Sequence, residues 1–133
     1  MNTQQILIID NNEMSGMILY YMFNEDFDTL QALDGQDAIS QIKSNPDIVL
    51  IFLNTDMPTT DTFGVLDYMS EHNLLKKIPV ILTTSKTIDD SNVERAYAYE
   101  VADIIKRPLY DQIVKRRSRD ITVSYTHLTL PTT

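Results

Sequence analysis

Short apolar runs alternate with amphipathic stretches five times along this chain, and that alternation leaves few folds open. The runs are residues 6–9, 29–33, 48–53, 80–82 and 102–105, the second being the weakest. Three are almost continuously apolar and rich in Ile, Val and Leu, as strands covered on both faces by helices read. Between them, Met14, Met17, Ile18, Tyr21 and Met22 follow the spacing of one helix face. Ala38, Ile39 and Ile42 continue the theme in a second helix, which Asn45-Pro46 stops. Phe63, Leu66 and Met69 mark a third. Ser91 with Glu94 reads as a capping box opening a fourth, which carries Val93, Ala96 and Tyr97. Pro108 precedes a fifth, with Ile113 and Val114 turned inward. The methionines and tyrosines of these faces read as core filler rather than a cofactor box.

Five strand–helix units imply an α/β fold with a parallel, doubly wound sheet and right-handed crossovers. In such folds the functional crevice lies beyond the carboxyl ends of the strands. Asp10, Asn11 and Asn12 follow the first strand, and Asn54, Thr55 and Asp56 the third. Thr83, Thr84 and Ser85 end the fourth, and Lys106 and Arg107 the fifth. These four clusters are expected to converge on one rim.

With 133 residues, 43% of them hydrophobic, the chain has the size of one domain that needs no staple. It has no cysteine, which excludes a disulfide framework or a thiolate metal site. The N-terminal MNTQQ lacks the basic start of a signal peptide, and no apolar run is long enough to span a bilayer. A soluble, cytoplasmic protein is the expectation. The formal charge of −8, from 19 acidic against 11 basic residues, argues against direct binding of nucleic acid or an anionic membrane. Lys115, Arg116, Arg117 and Arg119 crowd together near the end. They read as a solvated helix turn, with Asp111–Lys115 and Arg116–Asp120 as pairs four residues apart.

The segments "ILIIDNNEMSGMIL", "PDIVLIFLNTDMPTTDTFGVLDYM", "IPVILTTS" and "ADIIKRPL" resemble, in order and spacing, the receiver domains of bacterial two-component response regulators. The resemblance covers roughly residues 5–120. It implies a flavodoxin-like fold with five parallel strands in the order 2-1-3-4-5 and five helices. It also implies a phosphorelay chemistry in which acidic residues on the rim hold magnesium and a third-strand aspartate accepts phosphate. A fifth-strand lysine and a fourth-strand Ser or Thr complete that family's site, because phosphoryl transfer depends on neutralised charge and in-line placement.

Here the pattern is broken. The acceptor position, four residues before Pro58, is Asn54, and the second acidic position after the first strand is Asn11, which leaves Asp10. The lysine position before the proline is Arg107, with Lys106 one place earlier; Thr62 replaces a glycine, and Thr84 is retained. A neutral amide is a very poor nucleophile toward phosphorus, so no catalytic acceptor is expected. Magnesium, if held at all, would rest weakly on Asp10 and Asp56. The alternative is a conventional metal-dependent aspartyl-phosphate switch through Asp56 or a shifted register, but a loop position gives Asp56 poor in-line geometry. Converting carboxylates to asparagine also relieves repulsion of roughly 2 kcal/mol per pair at about 8 Å, so the pocket reads equally as a relic. Three readings stay open: a relic pocket with function elsewhere, a pocket that still binds an ion or ligand, and residual phosphorylation.

The leading expectation is a phosphorylation-independent interaction module for an output domain missing after residue 122. Its protein partners, a histidine kinase or its own output domain, would meet the face formed by the fourth helix, fifth strand and fifth helix. Tyr99, Tyr110 and the region of Ala98 are the candidate contacts, although Tyr97 and Tyr99 read equally as packed side chains. A small α/β enzyme fits less well, since the chain has no Gly-rich phosphate loop and one credible histidine, His72, at a helix end. Residues 1–122 read as the domain. Residues 123–133, VSYTHLTLPTT, show no helical periodicity and resemble the translation of a library-preparation adapter; Tyr125 and His127 then carry no function.

Overall fold

The computed structural model describes residues 4–129. Its strands are β1 (Gln5–Ile9), β2 (Asp28–Ala32), β3 (Ile48–Asn54), β4 (Val80–Thr84) and β5 (Asp103–Lys106). They alternate with α1 (Glu13–Phe23), α2 (Gly35–Ser44), α3 (Thr59–Glu71), α4 (Ser91–Tyr97) and α5 (Asp111–Thr129). All strand pairs are parallel, in the order β2-β1-β3-β4-β5, as the sequence leads one to expect. No helix among the described residues is long and apolar enough to cross a membrane.

Strand alternation divides the core between the two faces. Leu7, Ile9, Ile51, Leu53, Val80 and Leu82 pack under α2, α3 and α4. Ile6, Ile8, Leu50, Phe52 and Ile81 face Leu19 and Phe23 of α1 and Val114 of α5. Each such side chain, wholly removed from water, contributes about 1.5–3 kcal/mol. Because β1 and β3 are covered on both sides, their sequences are apolar without alternation.

Four local expectations are corrected. The predicted inner face of α1 is largely its outer one: Met14 is 81% exposed, and Ile18 and Tyr21 are exposed too. Gly16, Leu19 and Phe23 turn inward instead. The helix is apolar almost all round, so its periodicity fits two phases. Gly16 selects one, since a β-carbon there would come within 3.2 Å of Gln31 Oε1. In α4 the cap is Asp90, whose side chain accepts from the Asn92 N–H, rather than Ser91, and Tyr97 is exposed. In α5 Val114 is buried but Ile113 is exposed, a consequence of the ~100° step between neighbours on a helix.

The expected loss of helical structure at residue 123 does not occur, and α5 continues to Thr129. Residues 123–129 contain neither Gly nor Pro, so nothing in them stops a helix that is already propagating. Residues 130–133 of the expected tail lie outside the described residues. On α5 the Asp111–Lys115 pair forms at 3.2 Å, whereas Arg116–Asp120 is not among the ion pairs of the described residues.

Candidate functional site

Four strand ends build the rim. β1 ends at Ile9, which delivers Asp10, and β3 ends on Asn54 itself, in register with Thr83 of β4. Asp56 follows in the turn after β3, and Arg107 follows β5. Asp10 and Asn54 are buried, while Asp56 and Arg107 are half-buried.

One hydrogen-bonded network joins them. Asn54 Nδ2 donates to Asp10 Oδ1 at 2.8 Å, and the backbone N–H of Asn12 donates to the same oxygen at 2.9 Å. Asn54 Oδ1 accepts from the backbone N–H of Asp56 at 2.8 Å. The orientation of this amide is unambiguous, because a carboxylate only accepts and a peptide N–H only donates.

Arg107 spans the pocket. One terminal nitrogen lies 3.3 Å from Asp10 Oδ2 and the other 2.9 Å from Asp56 Oδ2. The first also reaches Thr83 Oγ1 at 3.5 Å. Asp56 Oδ2 takes a further bond, at 2.9 Å, from the Ser85 N–H on the loop after β4. A planar guanidinium carries two donor edges, so it bridges two carboxylates where one ammonium would reach a single point. Asp56 Oδ1 and Arg107 Nε are left buried without a hydrogen-bond partner.

Of the expected site residues, Asp10, Asn54, Asp56 and Arg107 are brought together. Thr84 is buried, and its hydroxyl accepts from the Lys86 N–H at 3.0 Å rather than from a member of the network. Asn11 and Lys106 are exposed and take no part in the network. Thr62 is buried behind the acceptor strand, its hydroxyl 3.4 Å from the Asn54 carbonyl oxygen.

Sequence reasoning placed Asn12, Thr83 and Ser85 on the rim but did not foresee their contacts. Asn12 caps α1, accepting from the N–H groups of Met14 and Ser15, while its own N–H holds Asp10. An asparagine followed by Glu13 at a helix start carries that signal. The Ser85 N–H and the Thr83 hydroxyl bear on Asp56 and Arg107 only through loop and strand geometry, which leaves no mark in sequence.

Comparisons with known proteins bear on the same segment. The family profile described as Response regulator receiver domain matches residues 6–117. The protein named Probable methanogenesis regulatory protein FilR2, from Methanothrix harundinacea, is 29% identical over 126 residues, covering 87% of this chain and 79% of its own. The two-component response regulator ORR11 of Oryza sativa is 22% identical over 112 residues, covering 84% and 76%. A response regulator receiver domain protein from Clostridium thermocellum superposes with a TM-score of 0.82 at 16% identity, covering 95% of this chain and 99% of that one. A two-component response regulator from Clostridium difficile superposes with a TM-score of 0.76 at 24% identity, covering 89% and 94%. At such identities the structural likeness speaks for the fold.

Proposed function

The chain belongs to the response regulator receiver family, and on that premise we propose that it serves two-component signalling as a protein-binding module that needs no phosphate. The observation that carries this reading is Asn54 in the acceptor position with its amide nitrogen bound to Asp10. An amide does not attack phosphorus as a carboxylate does.

Magnesium, which the family's chemistry calls for, does not suit the residues present. The ion needs several hard oxygens converging on one point. Here the Asp10 oxygens face an amide NH2, a peptide N–H and a guanidinium, all of them donors. Arg107 already supplies positive charge to both Asp10 and Asp56.

The partner in this reading is a protein, either a histidine kinase or an output domain, met on the side formed by α4, β5 and α5. Exposed Ile88, Tyr97, Tyr110 and Ile113 on or beside α4 and α5 support it. Tyr99 is a weaker contact than expected: it is half-buried, bonds Asp67 and packs 6.2 Å from the Phe63 ring. The net charge of −8 disfavours nucleic acid and anionic membranes as partners. The reading places the protein in the cytoplasm and takes 1–122 as the domain, with 123–133 as a foreign tail.

A second reading, a phospho-switch on Asp56, is favoured by one observation: Asp56 Oδ1 has no hydrogen-bond partner. That oxygen is buried, however, and its neighbour Oδ2 is held by Ser85 and Arg107. Titration with magnesium, followed through backbone amide NMR signals, separates the two. The binding-module reading expects no saturable shift at Asp10, Asn54 or Asp56, and a saturable shift there contradicts it.

A further inference from the structure

At the end of the strands opposite Asp10, a cleft of about 360 Å³ opens between α1 and α5. Its origin lies in the inner line of α5, formed by Val114, Ser118 and Thr122 at successive four-residue steps. Val114 is fully buried, but the next two positions are small hydroxyl residues. Both turn their hydroxyls back onto their own helix: Ser118 Oγ donates to the Val114 carbonyl at 2.6 Å, and Thr122 Oγ1 to that of Ser118 at 3.0 Å. Neither hydroxyl is directed at the sheet, so the space beneath α5 is left open and its far wall is apolar.

That wall is made by Phe23 and Phe27, which meet edge to face at 6.2 Å, with Ile6, Val49 and Leu50 at the starts of β1 and β3. Lys115 and Arg119 line the cleft from α5, and Asp26 lines it from the α1–β2 loop. Lys115 shares its charge with exposed Asp111, but Arg119 has no ion pair among the described residues. On a chain of net charge −8, two cations beside a wall of aromatic and branched side chains form a local exception. The volume falls among those of small-ligand sites, about 300–1,000 Å³, which combine apolar walls with a few orienting charges.

We propose that this cleft is a binding site for a small aromatic monocarboxylate. Its ring lies against the partly exposed Phe27 and Val49, where an aromatic face or edge meets the Phe27 ring favourably. Its carboxylate lies on Arg119, whose planar fork matches that group, with Lys115 as the second cation. The site is separate from the Asp10–Arg107 network, so it stands whatever the fate of the phosphorylation reading.

The test uses the full chain and 2-naphthoate as probe, titrated while backbone amide signals are followed. Saturable shifts confined to the cleft, around Phe27, Leu50 and Ser118, are expected. The cation 2-naphthylmethylammonium is expected to bind at least roughly tenfold more weakly. Ser118→Leu fills the cleft and Arg119→Glu inverts its charge, and each is expected to weaken 2-naphthoate roughly tenfold or more. Thermal melting of each variant reports folding, and Thr122→Leu replaces Ser118→Leu should that variant unfold. Absence of saturable shifts, equal affinity for the cation, or undiminished binding by the folded variants overturns the proposal.

Discussion

Asn54 and Asp10 lie side by side at the ends of β3 and β1, joined by a 2.8 Å bond from the Asn54 amide to Asp10 Oδ1. The pair is a donor facing an acceptor, and the two ends meet without a counter-ion between them. The charge that remains on Asp10 is met by Arg107, which reaches on to Asp56. The rim is thus cross-linked from β1 to β3 to β5 by its own side chains. Ser85 adds the loop after β4 through its N–H on Asp56.

Asn54→Asp replaces that donor by a second buried carboxylate beside Asp10. The variant is expected to lose about 1–3 kcal/mol of stability at neutral pH, read by urea denaturation.

Arg107→Ala leaves Asp10 and Asp56 without their shared cation. Breaking a fully buried pair costs about 3–5 kcal/mol. Arg107 and Asp56 are partly exposed, with side-chain exposures of 22% and 19%, so about 2–3 kcal/mol is expected here. Arg107→Lys recovers only part of it, since one ammonium serves one carboxylate at a time. Magnesium is expected to raise the melting temperature of the alanine variant and leave that of the parent unchanged.

The outer face of α1 gives a plain test of the helix phase. Met14→Ala and Tyr21→Ala are expected to change stability by less than about 0.5 kcal/mol each. Leu19→Ala, in the core, is expected to cost about 2–5 kcal/mol. The same denaturation series reads all three.

Tyr99 gives the chain an alkaline limit. Its hydroxyl donates to Asp67, and that bond, followed by burial and the Asp67 charge, raises its pKa above 10.0. The folded chain holds the phenol proton more tightly than the unfolded one. The stabilisation is therefore complete below about pH 10 and is lost as pH rises through the higher folded value. Tyr99→Phe is expected to start less stable and to lose that dependence, checked by denaturation midpoints between neutral pH and the alkaline limit.

Much of this was legible in sequence, for stated reasons. The runs at β1, β3 and β4 are apolar because both sheet faces are covered, so their positions could be read directly, and β4 ran two residues further because Thr83 and Thr84 suit a strand. The inner face of α1 was not legible, because nearly every residue in EMSGMILYYMF is apolar and the phase depends on how closely Gly16 approaches Gln31. Asp10, Asn54, Asp56 and Arg107 could be named as residues beyond strand ends. That Arg107 would grip both carboxylates could not, since it depends on the reach of one side chain across three strands.

The central claim is that this receiver does not take up phosphate, and intact mass after incubation with magnesium and acetyl phosphate tests it most directly. A variant carrying Asn11→Asp, Asn54→Asp and Arg107→Lys, which restores the family's pattern at those three positions, runs beside the natural chain. The account predicts that only the variant gains the mass of a phosphoryl group. A phosphoryl group on the natural chain would contradict it and direct mapping to Asp56 and Asp10.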